Sequence, residues 1–381
     1  MKKIRIGVVG LGKAFMIMLP TFLLDERVSL TAAVDTDVEA CTQFLLDFPG
    51  ARVYESVERM CRESDVDLIY VATPHQYHAE HVMAALSCGR HVLVEKPMAL
   101  TRRDCDRLIE AARRAGVYLM EGHSHSFDTP IGMLAGLLQS GRYGKVRMIH
   151  AMNYTDFLFR PRRPEELRTQ EGGGVIFNQA PHQISIARRL AAGRVKQVSC
   201  LLGRWDAARP TEGAYCAQLA FDNGVLASLT YSGYAHYDSD ELLGSISELG
   251  TEKKQQEYGR ARRALSAALD MDGEQALKNE KRYGRGESAA TLLPPRHLVH
   301  QHFGHWVISC DEADLVPTPT AIEVFGHTAR ERLALPPVRV PRKEVIDEIH
   351  AAIHEGVRPF HDGEWARGTM EICLAMLGNQ E

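Results

Sequence analysis

The sequence predicts an α/β domain built on a doubly wound parallel sheet, followed by an α+β domain with a large, mainly antiparallel open sheet. Three observations favour this fold class. Short apolar runs alternate with amphipathic segments through the first third of the chain. Several apolar runs in the second half follow one another with turn signals between them. Finally, 381 residues are too many for one ordinary core, so we place the first domain at residues 1–122 and the second at 123–381.

The first domain is predicted to alternate strands and helices. Its apolar runs predict strands at residues 4–9, 30–34, 68–72, 91–94 and 117–120. The segments between them predict helices at residues 38–47, 56–61, 77–87 and 102–115. In the last of these, Cys105, Leu108 and Ala112 share one helical face. Near-continuous apolar strands separated by helices indicate a parallel sheet covered on both faces.

The second domain is predicted to combine a sheet with a few helices. Its apolar runs predict strands at residues 146–154, 195–202, 216–221, 225–231 and 243–249, with a hairpin turn at Asp222-Asn223-Gly224. Helices are predicted at residues 175–190, 343–355 and 362–377, and the last is a candidate for packing on the first domain. The charged, glycine-broken segment 251–290 is predicted to be a surface insertion or a lid.

Composition excludes several classes of partner. A formal net charge of -4 offers no general attraction to nucleic acid or to an anionic membrane. No apolar stretch is long enough to span a bilayer, and Arg5 and Lys13 interrupt the N-terminal run, which disfavours a signal peptide. The eight cysteines are scattered without a Cys-x-x-Cys pair, as expected of reduced thiols. We therefore expect a cytoplasmic protein that acts on a small molecule.

A dinucleotide site is predicted where the first apolar run ends. Gly10-Leu11-Gly12-Lys13-Ala14 connects this run to a helix, whose first N–H groups and dipole can bind a pyrophosphate. Gly10 permits the tight turn, and Gly12 lets a phosphate approach the backbone. Phe15 stands where the fingerprint has its third glycine, so the helix must sit slightly away from the strand or Phe15 must turn outward. The pattern indicates a domain of the Rossmann type.

Asp35 favours NAD over NADP. It follows the second apolar run, at the distance where the fingerprint expects an acid that accepts hydrogen bonds from both ribose hydroxyls. Its charge repels the 2′-phosphate of NADP, and Thr36 rather than an arginine comes next. The alternative role of Asp35 is to cap the following helix, which Asp37 could do instead.

Several further motifs resemble the oxidoreductase family of glucose-fructose oxidoreductase, inositol dehydrogenase and the rhizopine-catabolism enzymes (Gfo/Idh/MocA). The motifs are Gly10-Leu11-Gly12, Ala72-Thr73-Pro74 with His78, the run 91–97 ending in Glu95-Lys96-Pro97, and Gly172-Gly173-Gly174 followed by His182. The resemblance covers nearly the whole chain. It implies hydride transfer at a secondary alcohol, with Lys96 and His182 at the reacting carbon. It also implies cofactor contacts from Thr73, Pro74, His78, Glu95 and Lys96, and a homodimer or homotetramer.

One departure from the family affects the proton transfer. Four residues before His182, where the family usually has an acid, this chain has Asn178, and Ser185 stands where an aspartate is common. Asparagine cannot take a proton, although it can orient the substrate or His182. The role of general base therefore moves to His182, Lys96 or both. Judged without the resemblance, a lone histidine on an apolar helix is more often a hydrogen-bonded core residue.

A narrower resemblance, to the dihydrodiol dehydrogenases of phthalate breakdown, suggests a substrate. It is carried by residues 154–163 (YTDFLFRPRR), 122–128 (GHSHSFD) and 359–363 (PFHDG). It implies NAD-dependent oxidation of a carboxylated cis-dihydrodiol, such as 4,5-dihydro-4,5-dihydroxyphthalate, to the catechol. Arg160, Arg162 and Arg163 could bind carboxylates, or form a solvated loop or subunit contact. His123 and His125 could line the pocket or serve the structure.

Other functions remain open from the sequence. A sugar or cyclitol dehydrogenase would share the fold, because specificity depends on loop residues. A dinucleotide-binding sensor or scaffold without turnover is a second alternative, and a redox-neutral hydrolase or lyase that uses NAD transiently is a third. The four histidines at positions 297, 300, 302 and 305 could hold zinc, but their spacing matches no zinc motif, and we expect no metal.

Overall fold

The computed structural model describes residues 3–268, 270–280, 282–295 and 297–378. Its contacts divide the chain into two compact units. The first unit extends to His123 and also contains residues 276–294 and 340–371. The second contains Ser124–Gln275, residues 295–339 and the chain from residue 372. This division differs from a single boundary after residue 122, because two later segments group with the first unit.

The first unit contains a six-stranded parallel sheet of order β3-β2-β1-β4-β5-β6. Its strands are β1 (Ile4–Val9), β2 (Val28–Val34), β3 (Arg52–Val53), β4 (Leu68–Val71), β5 (His91–Val94) and β6 (Leu119–Glu121). Helices α1 (Lys13–Leu24), α2 (Val38–Asp47), α3 (Val57–Glu63), α4 (His78–Ser87) and α5 (Arg102–Ala115) connect them. The predicted parallel sheet is confirmed, and the two-residue strand β3 was missed. β4 and β5 are fully apolar apart from His91 and Tyr70, as expected for strands covered on both faces.

The second unit contains an eight-stranded sheet of order β14-β13-β12-β11-β7-β10-β9-β8. Its strands are β7 (Val146–Tyr154), β8 (Val195–Gly203), β9 (Ala214–Phe221), β10 (Leu226–Ser232), β11 (His305–Cys310), β12 (Ala313–Pro317), β13 (Ala321–Gly326) and β14 (Arg330–Ala334). All neighbouring strands are antiparallel except β7 and β10. The predicted mainly antiparallel sheet is therefore confirmed.

One predicted strand is wrong and one predicted helix is divided. Residues 243–249 form no strand, because a short 3-10 helix (Ser239–Leu243) ends at Gly244 with a left-handed backbone (φ 74°). The helix predicted over residues 175–190 is interrupted at Gln179. Pro181 lacks the N–H that would continue the helical ladder, so the helix restarts just before it.

Helices cover one face of the second sheet. They are α6 (Thr129–Gln139), α7 (Gly174–Asn178) and α8 (Ala180–Ala191); α8 packs on β7 and β10. Along β10, Ala227, Leu229 and Tyr231 are buried, whereas the alternate residues are exposed or half-buried. The sheet therefore has one helix-covered face and one open face.

The segment predicted as an insertion or lid contains two helices, α9 (Arg260–Ala267) and α10 (Met271–Glu280). The closing helices are α11 (Lys343–Glu355) and α12 (Gly363–Met376), as predicted. The start of α12 packs on the first unit, where a Cβ on Gly363 would lie 2.9 Å from Ile109. Among the described residues, no helix combines the length and apolarity needed to cross a membrane.

Candidate active site

The turn after β1 has the geometry of a pyrophosphate site. The strand order reverses between β1 and β4, and ligands of open α/β sheets bind at such a point. Gly10 has a φ of 96°, and a Cβ on it would lie 2.8 Å from the carbonyl oxygen of Ala72, so only glycine fits there. A Cβ on Gly12 would meet nothing within 4 Å. Lys13 and Ala14 form the first turn of α1 beside this open space, which fits an anion.

Asp35 binds the same turn. Its Oδ2 accepts the N–H of Leu11 at 2.6 Å, and its Oδ1 accepts the N–H of Asp37 at 2.8 Å. The N-cap of α2 is Asp37, whose side chain accepts from Glu39 and Ala40. The capping role left open for Asp35 therefore falls to Asp37. Each Asp35 oxygen has a second lone pair, which suits the two hydroxyls of a ribose.

Phe15 does not turn outward. It is fully buried and packs edge-on against Tyr283, with 5.1 Å between the ring centroids, and lies 6.2 Å from the ring of Phe44. The hydroxyl of Tyr283 donates to Asp47 at the end of α2, at 2.6 Å. The position of the third glycine is thus occupied by an aromatic cluster. Sequence reasoning missed its other half, because Tyr283 is far away in the chain.

His78 connects two loops of the cofactor edge. Its Nδ1 lies 2.7 Å from the carbonyl oxygen of Pro97, and its Nε2 lies 2.8 Å from that of Thr73. Burial lowers the pKa of His78 to about 4, against the effect of these two carbonyls. Pro74 begins the short 3-10 helix that leads into α4, and the Thr73 hydroxyl lies 3.0 Å from Nδ1 of His81. His78 therefore lies against both loops, and its contact with the cofactor stays a prediction.

The residues around Lys96 are held by buried polar groups. Oε1 of Glu95 accepts the hydroxyl of Tyr70 at 2.6 Å and the N–H of His123 at 3.4 Å. Burial raises the pKa of Glu95. The Lys96–Pro97 peptide bond is cis. Glu95 thus fixes the backbone on one side of Lys96, and His78 fixes it on the other.

The glycine turn before His182 is sterically required. Gly172 and Gly174 have φ values of 84° and 76°, and a Cβ on Gly173 would lie 2.5 Å from the carbonyl oxygen of Glu166. A Cβ on Gly174 would overlap the carboxyl group of Glu212. The amide of Asn178 donates to the carbonyl oxygens of Gly172 at 3.2 Å and Gly174 at 2.7 Å. Asn178 therefore fixes this turn.

His182 lies beside His125 in the second unit. Their ring centroids are 4.8 Å apart, and Phe303 contacts both rings at centroid distances of 4.7 and 5.1 Å. The N–H of His125 donates to Nδ1 of His182 at 3.4 Å, and Nδ1 of His125 lies 2.7 Å from Oδ2 of Asp128. All of these side chains are buried. Asp128 and Phe303 were not anticipated, although Asp128 belongs to the GHSHSFD segment.

The three predicted arginines do not form one uniform patch. Arg160 is 42% exposed, and its Nε donates to Asp156. Arg162 is buried: its guanidinium lies 3.6 Å from the ring centroid of Phe157, and burial lowers its pKa to about 10. The backbone N–H of Arg163 donates to Glu166 at 2.7 Å. Arg160 is therefore the most exposed of the three, since the side chains of Arg162 and Arg163 are 11% and 24% exposed.

A fourth arginine supports this loop. Arg209 is buried and donates to Oε1 of Glu274 at 2.8 Å, and the same oxygen accepts the N–H of Arg162 at 2.6 Å. No sequence pattern identified Arg209. In the histidine group, Nε2 of His300 lies 2.7 Å from the Pro336 carbonyl oxygen and Nε2 of His302 lies 2.9 Å from that of Ile246. These two rings therefore have separate structural partners.

Two family models match the chain. Residues 4–123 match an oxidoreductase family with an NAD-binding Rossmann fold, and residues 132–250 match the GFO/IDH/MocA C-terminal domain. The chain is 56% identical, over 98% of its length and 94% of the relative's, to 1-carboxy-3-chloro-3,4-dihydroxycyclohexa-1,5-diene dehydrogenase of Comamonas testosteroni. It is 28% identical to inositol 2-dehydrogenase 2 of Saccharopolyspora erythraea, over 64% of this chain and 72% of that one. A dehydrogenase structure from Bordetella bronchiseptica RB50 superposes with a TM-score of 0.91 at 37% identity, over 99% of this chain and 97% of that one.

Proposed function

Because the chain belongs to the GFO/IDH/MocA family of oxidoreductases, we propose that it oxidises a carboxylated cyclic dihydrodiol to the corresponding catechol. Family membership confirms the predicted dehydrogenase activity and the predicted NAD-binding domain. The assignment of this substrate class is supported by one observation. The relative that shares 56% of the aligned residues is named for a six-membered diene ring with one carboxyl group, two adjacent hydroxyl groups and a chlorine on one of the two hydroxyl-bearing carbons.

The reaction removes a hydride from one diol carbon and a proton from its hydroxyl group. Bound NAD supplies the hydride acceptor. The ketone that results tautomerises to an aromatic catechol, which makes the oxidation effectively one-way. The protein then has to align the reacting carbon with the cofactor and to accept one proton.

We assign the cofactor contacts to the cluster at the carboxyl edge of the first sheet. Gly10, Gly12, Lys13 and Ala14 hold the pyrophosphate, and Asp35 holds the adenosine ribose. Two observations support this assignment. There is open space beside Gly12, and the carboxylate of Asp35 accepts a hydrogen bond from the N–H of Leu11 in the same turn. Thr73, Pro74 and Glu95 shape the nicotinamide end of the same edge, whereas His78 positions their loops.

We assign the substrate alcohol to Lys96, whose ammonium group donates to the alcohol oxygen, and to His182. Asn178 acts indirectly, by fixing the glycine turn ahead of α8. Of the three loop arginines, we assign the substrate carboxylate to Arg160, because its guanidinium is partly exposed and can form a bidentate pair. Arg162 and Arg163 support the loop.

A substrate screen tests this function. NADH formation is followed by absorbance with a carboxylated cis-dihydrodiol, the same diol without its carboxyl group, myo-inositol and aldoses. We expect turnover of the carboxylated diol and a much higher KM for the diol without the carboxyl group. Turnover of inositol or aldoses alone would identify a cyclitol or sugar dehydrogenase instead. Tight NAD binding without turnover of any alcohol would identify a sensor or scaffold.

We further propose a cytoplasmic homodimer or homotetramer that associates through the open face of the second sheet. Met148, Leu201 and Leu226 are exposed there, and strand register puts all three on the same face. The eight cysteines are free thiols, which suits a reducing compartment. Light scattering after size exclusion tests the assembly: Leu201→Glu with Leu226→Lys should yield monomers, and a wild-type monomer would contradict the proposal.

A further inference from the structure

We propose that His125, oriented by Asp128, accepts the alcohol proton, while His182 acts as a hydrogen-bond donor to the substrate oxygen. This inference rests on the proposed function, since it concerns the oxidation of an alcohol. It reverses the roles that a lone histidine on α8 would suggest. It also explains which group can accept the proton of the substrate alcohol in a chain that has Asn178 where the family usually has an acid.

Hydrogen-bond partners fix the tautomers of the two rings. A neutral imidazole has one N–H and one nitrogen with a lone pair, and the partner of one nitrogen fixes the state of the other. Nδ1 of His182 faces a donor, the backbone N–H of His125, at 3.4 Å. Nδ1 therefore carries the lone pair, and the proton of neutral His182 lies on Nε2. In this orientation Nε2 of His182 donates and cannot accept.

His125 has the opposite arrangement. Its Nδ1 lies 2.7 Å from Oδ2 of Asp128, so Nδ1 carries the proton and donates it to the carboxylate. Asp128 occupies the N-cap position of α6, where the helix dipole stabilises negative charge. The lone pair of neutral His125 is consequently on Nε2. This is the state that a general base requires.

Contacts between α8 and the turn at Ser126 hold the two rings together. His182, Ser185 and Arg189 lie at spacings of three and four on α8 and share one helical face. The Ser185 hydroxyl donates to that of Ser126 at 2.8 Å, and Arg189 donates to the carbonyl oxygen of Ser126. α8 therefore carries His182 and also anchors the turn that carries His125. Ser185 replaces the aspartate common at its position and serves this anchoring.

The two rings lie in a buried environment. His125 and His182 are 6% and 7% exposed, and Phe303 covers both. Because water is largely excluded from such a site, it competes little with the hydrogen bond between His125 and Asp128. The charged and titratable groups around His125 are Asp128, His182, Glu248 and His302, together with His123 two positions earlier in the chain.

Atoms and charges balance in the proposed step. The C–H bond of the reacting carbon breaks, and its hydride would be taken up by NAD bound at the carboxyl edge of the first sheet. The O–H bond breaks, and its proton passes to Nε2 of His125, giving an imidazolium paired with Asp128. That proton then passes to solvent after the product leaves.

A pH profile with chemical rescue tests the assignment. For His125→Ala we expect kcat/KM to fall about 10²- to 10⁴-fold, the usual contribution of a general base. The acidic limb of its pH profile should disappear, and added imidazole should restore part of the activity. His182→Asn should lower the rate but keep the limb. His302→Gln, a neighbouring buried histidine without an assigned role, should keep the limb as a matched control. NAD affinity, measured by calorimetry, checks that each variant is folded.

A second measurement requires no substrate and separates this inference from the proposed function. Long-range ¹H–¹⁵N spectra of protein labelled at histidine distinguish the two neutral tautomers, and the His125→Ala and His182→Asn variants assign the signals. We expect the Nδ1–H form for His125 and the Nε2–H form for His182. The opposite assignment, or loss of the acidic limb in His182→Asn instead of His125→Ala, would overturn the proposal. If the spectra agree but no diol is oxidised, only the proposed substrate fails.

Discussion

The cofactor turn of the first unit and the histidine pair of the second unit are built in different ways. Gly10, Gly12 and Asp35 belong to one strand–helix–strand unit. Within it, Asp35 accepts the N–H of Leu11, which lies between the two glycines. His125 and His182 are 57 positions apart, and Phe303 comes from a third segment. A site made by one local motif can be identified from its spacing, whereas a site assembled from separate segments is only partly visible in the sequence.

The largest effect should come from removing the amine at the carboxyl edge of the first sheet. Lys96→Ala should lower kcat about 10³-fold, because an aligned donor to the reacting oxygen is lost. The affinity for NAD should change little, since the glycine turn stays intact. Steady-state kinetics and calorimetry measure the two quantities, with the exposed Lys196→Ala as the control. Full activity of Lys96→Ala would remove this lysine from the chemistry.

Substitutions of the two glycines in the cofactor turn should affect different properties, one mainly the stability of the protein and the other mainly NAD binding. Gly10→Ala should lower the free energy of unfolding by about 3 kcal/mol, because a strained φ adds to a close contact with Ala72. Gly12→Ala should cost less than about 1 kcal/mol, since a Cβ there has no neighbour. It should nevertheless weaken NAD binding at least about tenfold, or about 1.4 kcal/mol. Denaturant unfolding and calorimetry provide both values; equal effects of the two changes would contradict this reading.

Replacing Asn178 with the aspartate that is usual in the family should destabilise the second unit. Asn178→Asp replaces an amide that donates to two carbonyls with a carboxylate that repels them, so the free energy of unfolding should fall by about 2 kcal/mol at neutral pH. The loss should shrink at acid pH, where a protonated carboxyl group can donate again. Asn178→Ala serves as the control without charge. A stable Asn178→Asp variant with a higher kcat would show that the acid is simply missing.

The smallest effect concerns the ribose carboxylate. Asp35→Asn keeps an acceptor for the N–H of Leu11 but removes the negative charge. We expect NAD to bind about tenfold more weakly, a loss of about 1.4 kcal/mol, and the preference for NAD over NADP to narrow. Initial rates at varied concentrations of each dinucleotide measure the preference. An unchanged ratio would mean that other residues exclude the 2′-phosphate.

The accuracy of the sequence predictions follows the same division. Residues 4–9 and 91–94 were predicted with the bounds they have, because buried parallel strands are near-continuous apolar runs. β11–β14 were missed: they are short and close together, and β14 carries three charged residues on an exposed edge. The parallel pairing of β7 with β10 depends on the whole sheet, so no local pattern indicates it.

Candidate site residues show the same limits. Lys96 and His182 were identified from motifs and a resemblance, whereas Asp128, Phe303 and Arg209 were not. Arg162 illustrates a second limit: charge alone suggested a substrate contact, and only the structure shows that its guanidinium is buried over the ring of Phe157. A sequence reveals which groups are available, but their partners depend on tertiary contacts.

The contact between Phe15 and Tyr283 has a practical consequence for dissecting the enzyme. A fragment that stops after residue 123 would retain every glycine of the nucleotide fingerprint, yet it would expose the fully buried ring of Phe15. It would also lose Pro341, whose carbonyl oxygen accepts the hydroxyl of Thr21, and Asp362, which forms a β-bridge with Met120 of β6. The nucleotide-binding half cannot therefore be excised as a continuous stretch of chain; its last pieces are translated only near the C-terminus.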